Sequence, residues 1–202
     1  MHVYYGLSSF YQNNRKYARA REDRQLAGRY TNPADMSSCI PLLYPPNQTN
    51  MSYAPCGAFA NSIFTDRFSL YFYENGLKPN SISQIWPFPQ MGQRVKLNKK
   101  GIAWPTDRSK FANPSEPFDP KKWVPPRDWY DIGLIYGNDS DDVSANDTSQ
   151  YGFENEDLII WMRTAALPTF RKLFRYVDHS TAPFDKSLPN GAYSLLVNYS
   201  AI

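Results

Sequence analysis

Seventeen prolines run through this 202-residue chain, and proline does more than any other residue here to limit the fold. Each one removes a backbone donor and clashes with the preceding turn of a helix, so long helices and helical bundles are disfavoured. The aromatic content points the same way. Fifteen Tyr, 12 Phe and 5 Trp are residue types that suit a pleated, half-buried surface. Together they predict a mainly β domain with ordered, Pro-stiffened loops, and the length suits one domain over 1–202.

Hydrophobic periodicity supplies the elements. Val3 to Leu7 reads as an aromatic strand. A short helical or turn-rich stretch follows over Ser9 to Leu26, with Phe10, Tyr11, Tyr17 and Leu26 on a packing side and Arg15, Lys16, Arg19 and Arg21 towards water. Arg67 to Tyr73 alternates Phe68, Leu70 and Phe72 with Ser69, Tyr71 and Tyr73, the pattern of a half-buried strand, and Asn75-Gly76 is a hairpin-type turn. From Pro79 to Asn155 the chain reads as an irregular arm with short strands at Val95 to Leu97 and Gly101 to Trp104, and Asn138 to Ser149 as a mobile acidic loop. Leu158 to Arg163, Phe170 to Val177 and Ala192 to Tyr199 are the last predicted strands. Pro168 argues against one helix across the first two, and Pro189-Asn190-Gly191 forms a turn before the third.

The compartment is legible from asparagine. Five N-x-S/T sequons begin at Asn47, Asn50, Asn138, Asn146 and Asn198, more than this composition would place at random, and mark glycan acceptors of an extracytoplasmic chain. Cys39 and Cys56 are the two cysteines and bracket a Pro- and Asn-rich segment. They are either two buried thiols or a disulfide, which for a loop of that length would stabilise by about 3 kcal/mol; the sequons favour the disulfide. No apolar run is long enough to span a bilayer. The net charge of +3 is dispersed, so nothing points to nucleic acid or an anionic membrane surface.

Motifs for chemistry are sparse. His2 and His179 are the two histidines, too few Cys and His stand at ligand spacing for a zinc site, and no G-x-S-x-G serine accompanies His179. No phosphate-binding glycine loop or cofactor motif is present. Glu154, Glu156 and Asp157 are the nearest thing to a glycosidase carboxylate pair, but they read more simply as a turn and strand entry with solvated or paired acids. Aromatics interleaved with Arg and Lys could stack bases or clasp a cationic headgroup; packed core is the more frequent role of such residues.

Several blocks together resemble one family. They are Y-Y-G-L-S-S-F-Y-Q-N-N-R-K-Y at Tyr4 to Tyr17, A-P-C-G-A-F-A-N-S-I-F-T-D at Ala54 to Asp66, and G-I-A-W-P-T-D at Gly101 to Asp107. The longest is N-E-D-L-I-I-W-M-R-T-A-A-L-P-T-F-R-K-L-F-R at Asn155 to Arg175, and G-A-Y-S-L-L-V-N-Y at Gly191 to Tyr199 closes the set. In order and spacing they resemble the accessory (beta) subunits of type IV P-type ATPases, the lipid flippases, also called the cell-division-control-protein-50 or ligand-effect-modulator family. Ser9 and Asn14 depart from the usual Asn and His of the first block, while Thr65 and Leu196 stand where some members carry a glycosylated Asn.

The resemblance implies an antiparallel β-sandwich or jelly-roll-like ectodomain with irregular Pro-rich arms and few short helices, lying in the lumen or outside the cell. It implies a Cys39–Cys56 disulfide, and flanking transmembrane helices and a Cys-rich segment that are not among these residues. The implied function is non-catalytic and needs no cofactor or metal. The domain would bind exoplasmic loops of a flippase catalytic subunit and support its exit from the endoplasmic reticulum, its stability and phospholipid translocation, in the endoplasmic reticulum, Golgi, endosome or plasma membrane. Tyr11, Arg15, Trp161, Arg163, Phe170 and Arg171 are the expected contact residues, because aromatics and arginine concentrate interface energy. Capture of phospholipid headgroups by the ectodomain itself is the alternative.

Overall fold

The computed structural model describes residues 1–29, 31–48, 50–74, 92–115, 123–126, 129 and 150–199. The mainly β reading holds. Strand β1 (His2–Leu7) pairs antiparallel with β7 (Phe170–Val177), whose other side takes the short β5 (Leu97–Asn98). A second antiparallel sheet places β3 (Arg67–Tyr73) between β4 (Gln93–Val95) and β8 (Ala192–Asn198). A parallel pair, β2 (Ser52–Tyr53) with β6 (Trp123–Val124), ties the residues just before the second block to the arm. The Asn75-Gly76 turn and the Asn138 to Ser149 loop lie outside the described residues.

Both larger sheets contribute to one core. On β7, Lys172, Phe174, Arg175 and Val177 are buried, the alternation changing step where the register to β1 shifts, and β3 ends in buried Phe72 and Tyr73. Phe68 of β3 meets Phe174 of β7 with ring centroids 4.9 Å apart, so the sheets touch through aromatic faces. The chain passes from one sheet to the other at Lys96. Val95 and Leu97 on either side of it are buried, and Lys96 is held by a salt bridge to Asp178 at 3.2 Å.

Two predicted strands are corrected. Glu156–Met162, which covers most of the Leu158 to Arg163 segment, is an α-helix. Its start is signalled locally: the Asn155 side chain accepts the Asp157 N–H, and Glu156 and Asp157 occupy the first turn. It ends at Met162, well before Pro168, so the proline never meets its interior. The helix reads like a strand because it is buried on nearly every side: Leu158, Ile159, Trp161 and Met162 are all core. Gly101 to Trp104 is a turn rather than a strand. Gly101 adopts φ 88°, and Pro105 at the first position starts a short helix, Pro105–Arg108.

The Ser9 to Leu26 stretch forms helices at Arg15–Arg19 and Asp23–Leu26. Asn14 caps the first by accepting the N–H groups of Lys16 and Tyr17. Phe10, Tyr17 and Leu26 pack on the core as expected. Tyr11 is instead exposed, and Arg21 turns inward to donate to the Met162 carbonyl at 2.8 Å.

Candidate interaction surface

The segment 163–169 follows the buried helix, and side chains remote in sequence hold it in place. A helix ends with carbonyls that lack intrahelical partners. Here Lys172 of β7 supplies them, its Nζ donating to the carbonyls of Ile160 at 2.8 Å, Trp161 at 2.8 Å and Arg163 at 2.6 Å. The first block does the rest. Gln12 accepts the Ala165 N–H at 3.0 Å, Asn13 donates to the Ala166 carbonyl at 3.0 Å, and the Phe10 N–H donates to Pro168 at 3.1 Å. The first and fourth blocks, some 150 residues apart in sequence, are thus one structural unit.

The third block is tied to the same helix through Glu156. Its fully buried carboxylate accepts the backbone N–H groups of Gly101 at 2.9 Å and Ala103 at 2.7 Å and the Gln150 amide at 3.1 Å. That anchor presents Trp104 to the surface, where the Arg163 guanidinium stacks on its indole, 3.7 Å from the ring centroid. Asp107 accepts both Arg163 at 3.3 Å and Lys110 at 2.9 Å. The remaining acids once weighed as catalytic are also engaged in holding the fold: Asp157 with Arg175, and Glu154 with the Asn113 N–H.

Between these elements lies an open groove of about 520 Å³ with a largely apolar lining. Ile102, Ile159, Ile160 and Leu173 contribute to it, and Tyr4, Trp104 and Leu167 stand 55%, 61% and 67% exposed along it. Such a cluster of large exposed apolar side chains marks an interaction site more often than a solvated face. Arg163 and Arg171 add positive charge. A second groove of about 490 Å³ shares Asp107, Ile159, Arg163 and Thr164 with the first, so the Arg163–Asp107 pair stands between the two.

Of the residues named from sequence, Arg163, Phe170 and Arg171 line the first groove. Tyr11 and Arg15 are exposed but do not line it. Trp161 is 1% exposed; its indole N–H donates to the Phe59 carbonyl at 2.8 Å and its ring meets Phe10 edge-on at 5.5 Å, so it carries the core beneath the groove rather than a surface. Tyr4, Trp104 and Leu167 went unnoticed. Tyr4 had a signal, since it alternates with buried Tyr5 on β1. Cys39 and Cys56 form the expected disulfide, with Cα atoms 5.6 Å apart. Asn47, Asn50 and Asn198 are exposed, whereas Asn138 and Asn146 lie outside the described residues. Among the described residues no group of three or more His, Cys, Asp or Glu could hold a metal ion, and no helix is long and apolar enough to cross a membrane.

The chain belongs to the LEM3 (ligand-effect modulator 3) / CDC50 family, whose pattern it matches over residues 1–200. It is 42% identical over 208 residues to cell cycle control protein 50A of Mus musculus, covering 98% of this chain and 50% of that protein. With cell cycle control protein 50B of Homo sapiens the identity is 35% over 213 residues, covering 99% and 52%. A protein of Arabidopsis thaliana that bears the provisional name ALA-interacting subunit 4 is 35% identical over 183 residues, covering 88% and 42%. The chain therefore spans about half the length of the curated relatives it matches.

Proposed function

We propose that this chain is the lumenal or extracellular domain of a non-catalytic beta subunit of a phospholipid flippase, and that the groove beside Trp104 and Arg163 receives exoplasmic loops of the catalytic type IV P-type ATPase. The observation that carries the reading is that the first, third and fourth blocks, the segments on which the family resemblance rests, converge on this one groove. Exposed aromatics beside arginine are the composition of an interface centre. By holding those loops the domain supports the partner's exit from the endoplasmic reticulum, its stability and phospholipid translocation, while ATP hydrolysis and lipid passage belong to the partner. The name of the Arabidopsis relative, which describes an interacting subunit, agrees with this role.

The test is co-purification of the full-length protein with type IV ATPases after gentle solubilisation. Recovery of such an ATPase with the unaltered protein, and its loss with Trp104→Ala, is the expected result. Recovery of none with either protein would sink the proposal.

A further inference from the structure

Lys172 puts a charge where its surroundings are core. It is 7% exposed, and its Nζ lies 5.4 Å from the centre of the Trp161 ring and 5.6 Å from that of Phe170. The three donors of its ammonium are matched one to one by the carbonyls of Ile160, Trp161 and Arg163. A cation suits the end of a helix, where carbonyls lack partners and the dipole is negative. A neutral amine does not fit the same site. It has two N–H groups for three acceptors, and its lone pair would face an oxygen, so one carbonyl must be released. The Trp161 carbonyl is buried and also receives the Gln12 amide at 3.4 Å. The Arg163 carbonyl lies beyond the helix in an exposed residue and can turn to water with the smallest penalty.

We propose that Lys172 is a proton-dependent clamp on the groove: its ammonium holds the start of segment 163–169 in the geometry that binds the catalytic subunit, and loss of the proton to solvent releases that segment. Release at the Arg163 carbonyl draws the guanidinium away from Trp104 and Asp107, which it meets at 3.7 Å and 3.3 Å, and loosens the bond from the Ala165 N–H to Gln12. Burial and the Arg163 charge bring the Lys172 pKa down to about 7, so the two forms exchange near neutrality. The released state leaves the lysine in the core with one acceptor fewer. It therefore holds the proton less tightly than the clamped state, and rising pH favours release. Global stability moves the other way over the same range, because the unfolded chain holds this proton more tightly still.

The charged and titratable groups around Lys172 come from four elements. On its own strand are Arg171 and Arg175, the latter paired with Asp157 of the helix, whose Glu156 is turned to the third block. Opposite it on β1 stands Tyr5, pushed well above its ordinary pKa by burial. From the first block and the residues after it come Tyr17, pushed up to about 12 by burial, and Arg21, on the Met162 carbonyl. From the third block comes Asp107, which Arg163 and Lys110 share. The histidines lie at the far end of the β1–β7 pair, His2 opposite Tyr176 and His179 beyond the strand.

The inference rests on the proposed function for what the groove binds. The experiment takes the full-length protein from about pH 6 to about pH 9, a range centred near the Lys172 transition. Three quantities are read: hydrogen exchange in 163–169 corrected for the chemical rate, the unfolding midpoint, and recovery of a type IV ATPase after gentle solubilisation. In the unaltered protein, exchange in this segment should rise about tenfold across the range while ATPase recovery falls and the midpoint climbs. Lys172→Met, which carries no proton, should show high exchange and low recovery at every pH. Gln12→Ala should raise exchange throughout and keep the step. Exchange in the unaltered protein that stays flat, or that falls as the midpoint climbs, overturns the clamp, and this reading stands even where Lys172→Met does not fold. Recovery that ignores pH while exchange shows the step overturns the link to binding. Recovery at no pH, with the step intact, overturns the proposed function and leaves the clamp standing.

Discussion

The Arg163 guanidinium lies 3.7 Å from the centroid of the Trp104 indole while also reaching Asp107 at 3.3 Å. A planar cation held against an aromatic face and oriented by a carboxylate is pre-organised, so little side-chain freedom remains to be lost when a partner binds. Trp104→Ala and Arg163→Ala should each weaken binding of the catalytic subunit about tenfold or more, the range of interface centres. Both sit at the surface, so unfolding midpoints should change little. Equal binding by wild type and both variants, measured on the co-purified complex, would remove this pair from the interface.

Trp161 should behave in the opposite way. Its ring is enclosed by Phe10 and Phe59 and its N–H is satisfied by a carbonyl. Trp161→Ala should cost about 3–5 kcal/mol in urea denaturation, whereas Tyr11→Ala, at an exposed position, should stay within about 0.5 kcal/mol. Similar losses at the two sites would contradict their assignment to core and surface.

The Cys39–Cys56 bridge closes a separation of 17 residues and belongs to a small core with Met36 and Leu43, against which Tyr44 and Tyr53 pack. Replacing both cysteines with serine should lower stability by about 3 kcal/mol. Protease sensitivity should appear first between the two positions. A double-serine variant as stable as the parent would show that the loop is held by other contacts.

Lys172 gives the fold a pH signature. Burial, with the nearby Arg163 charge, brings its pKa down to about 7, against the ordinary lysine value in the unfolded chain. The three carbonyl partners favour the charged form and oppose that shift without cancelling it. Above pH 7 the unfolded chain therefore binds more protons at this residue than the folded one, and stability rises with pH until the unfolded value is reached. The slope from this group is at most about 1.4 kcal/mol per pH unit. Between pH 7 and 9 the melting temperature of the wild type should climb relative to Lys172→Met, which lacks the proton. Parallel profiles for the two proteins would mean that the amine is not held as described.

Much of the architecture was readable along the chain. β3 and β8 follow from alternation, and β1 and β7 from short runs rich in aromatic and apolar residues, local patterns that need no partner to be seen. The disulfide followed from the resemblance and the two cysteines. The buried helix was misread because periodicity fails when every side of an element is enclosed, and the better signal, Asn155 ahead of two acids, was local and small. The Gly101 turn was misread because its N–H groups bond to Glu156, more than 50 residues away, instead of to a neighbouring strand.

The groove itself belongs to the second kind of information. Sequence alone determined the strand pattern, the loop closed by Cys39 and Cys56, and the blocks that identify the family, because each is written in contiguous residues or in residue type. Only the tertiary structure decided that Trp161 is core while Trp104 is surface, and that Tyr4, Trp104, Arg163 and Leu167 share one groove. Those outcomes depend on which backbone groups Lys172, Gln12 and Glu156 satisfy across the fold. A buried polar side chain must find its partners in space, and nothing in its spacing along the chain says where they are.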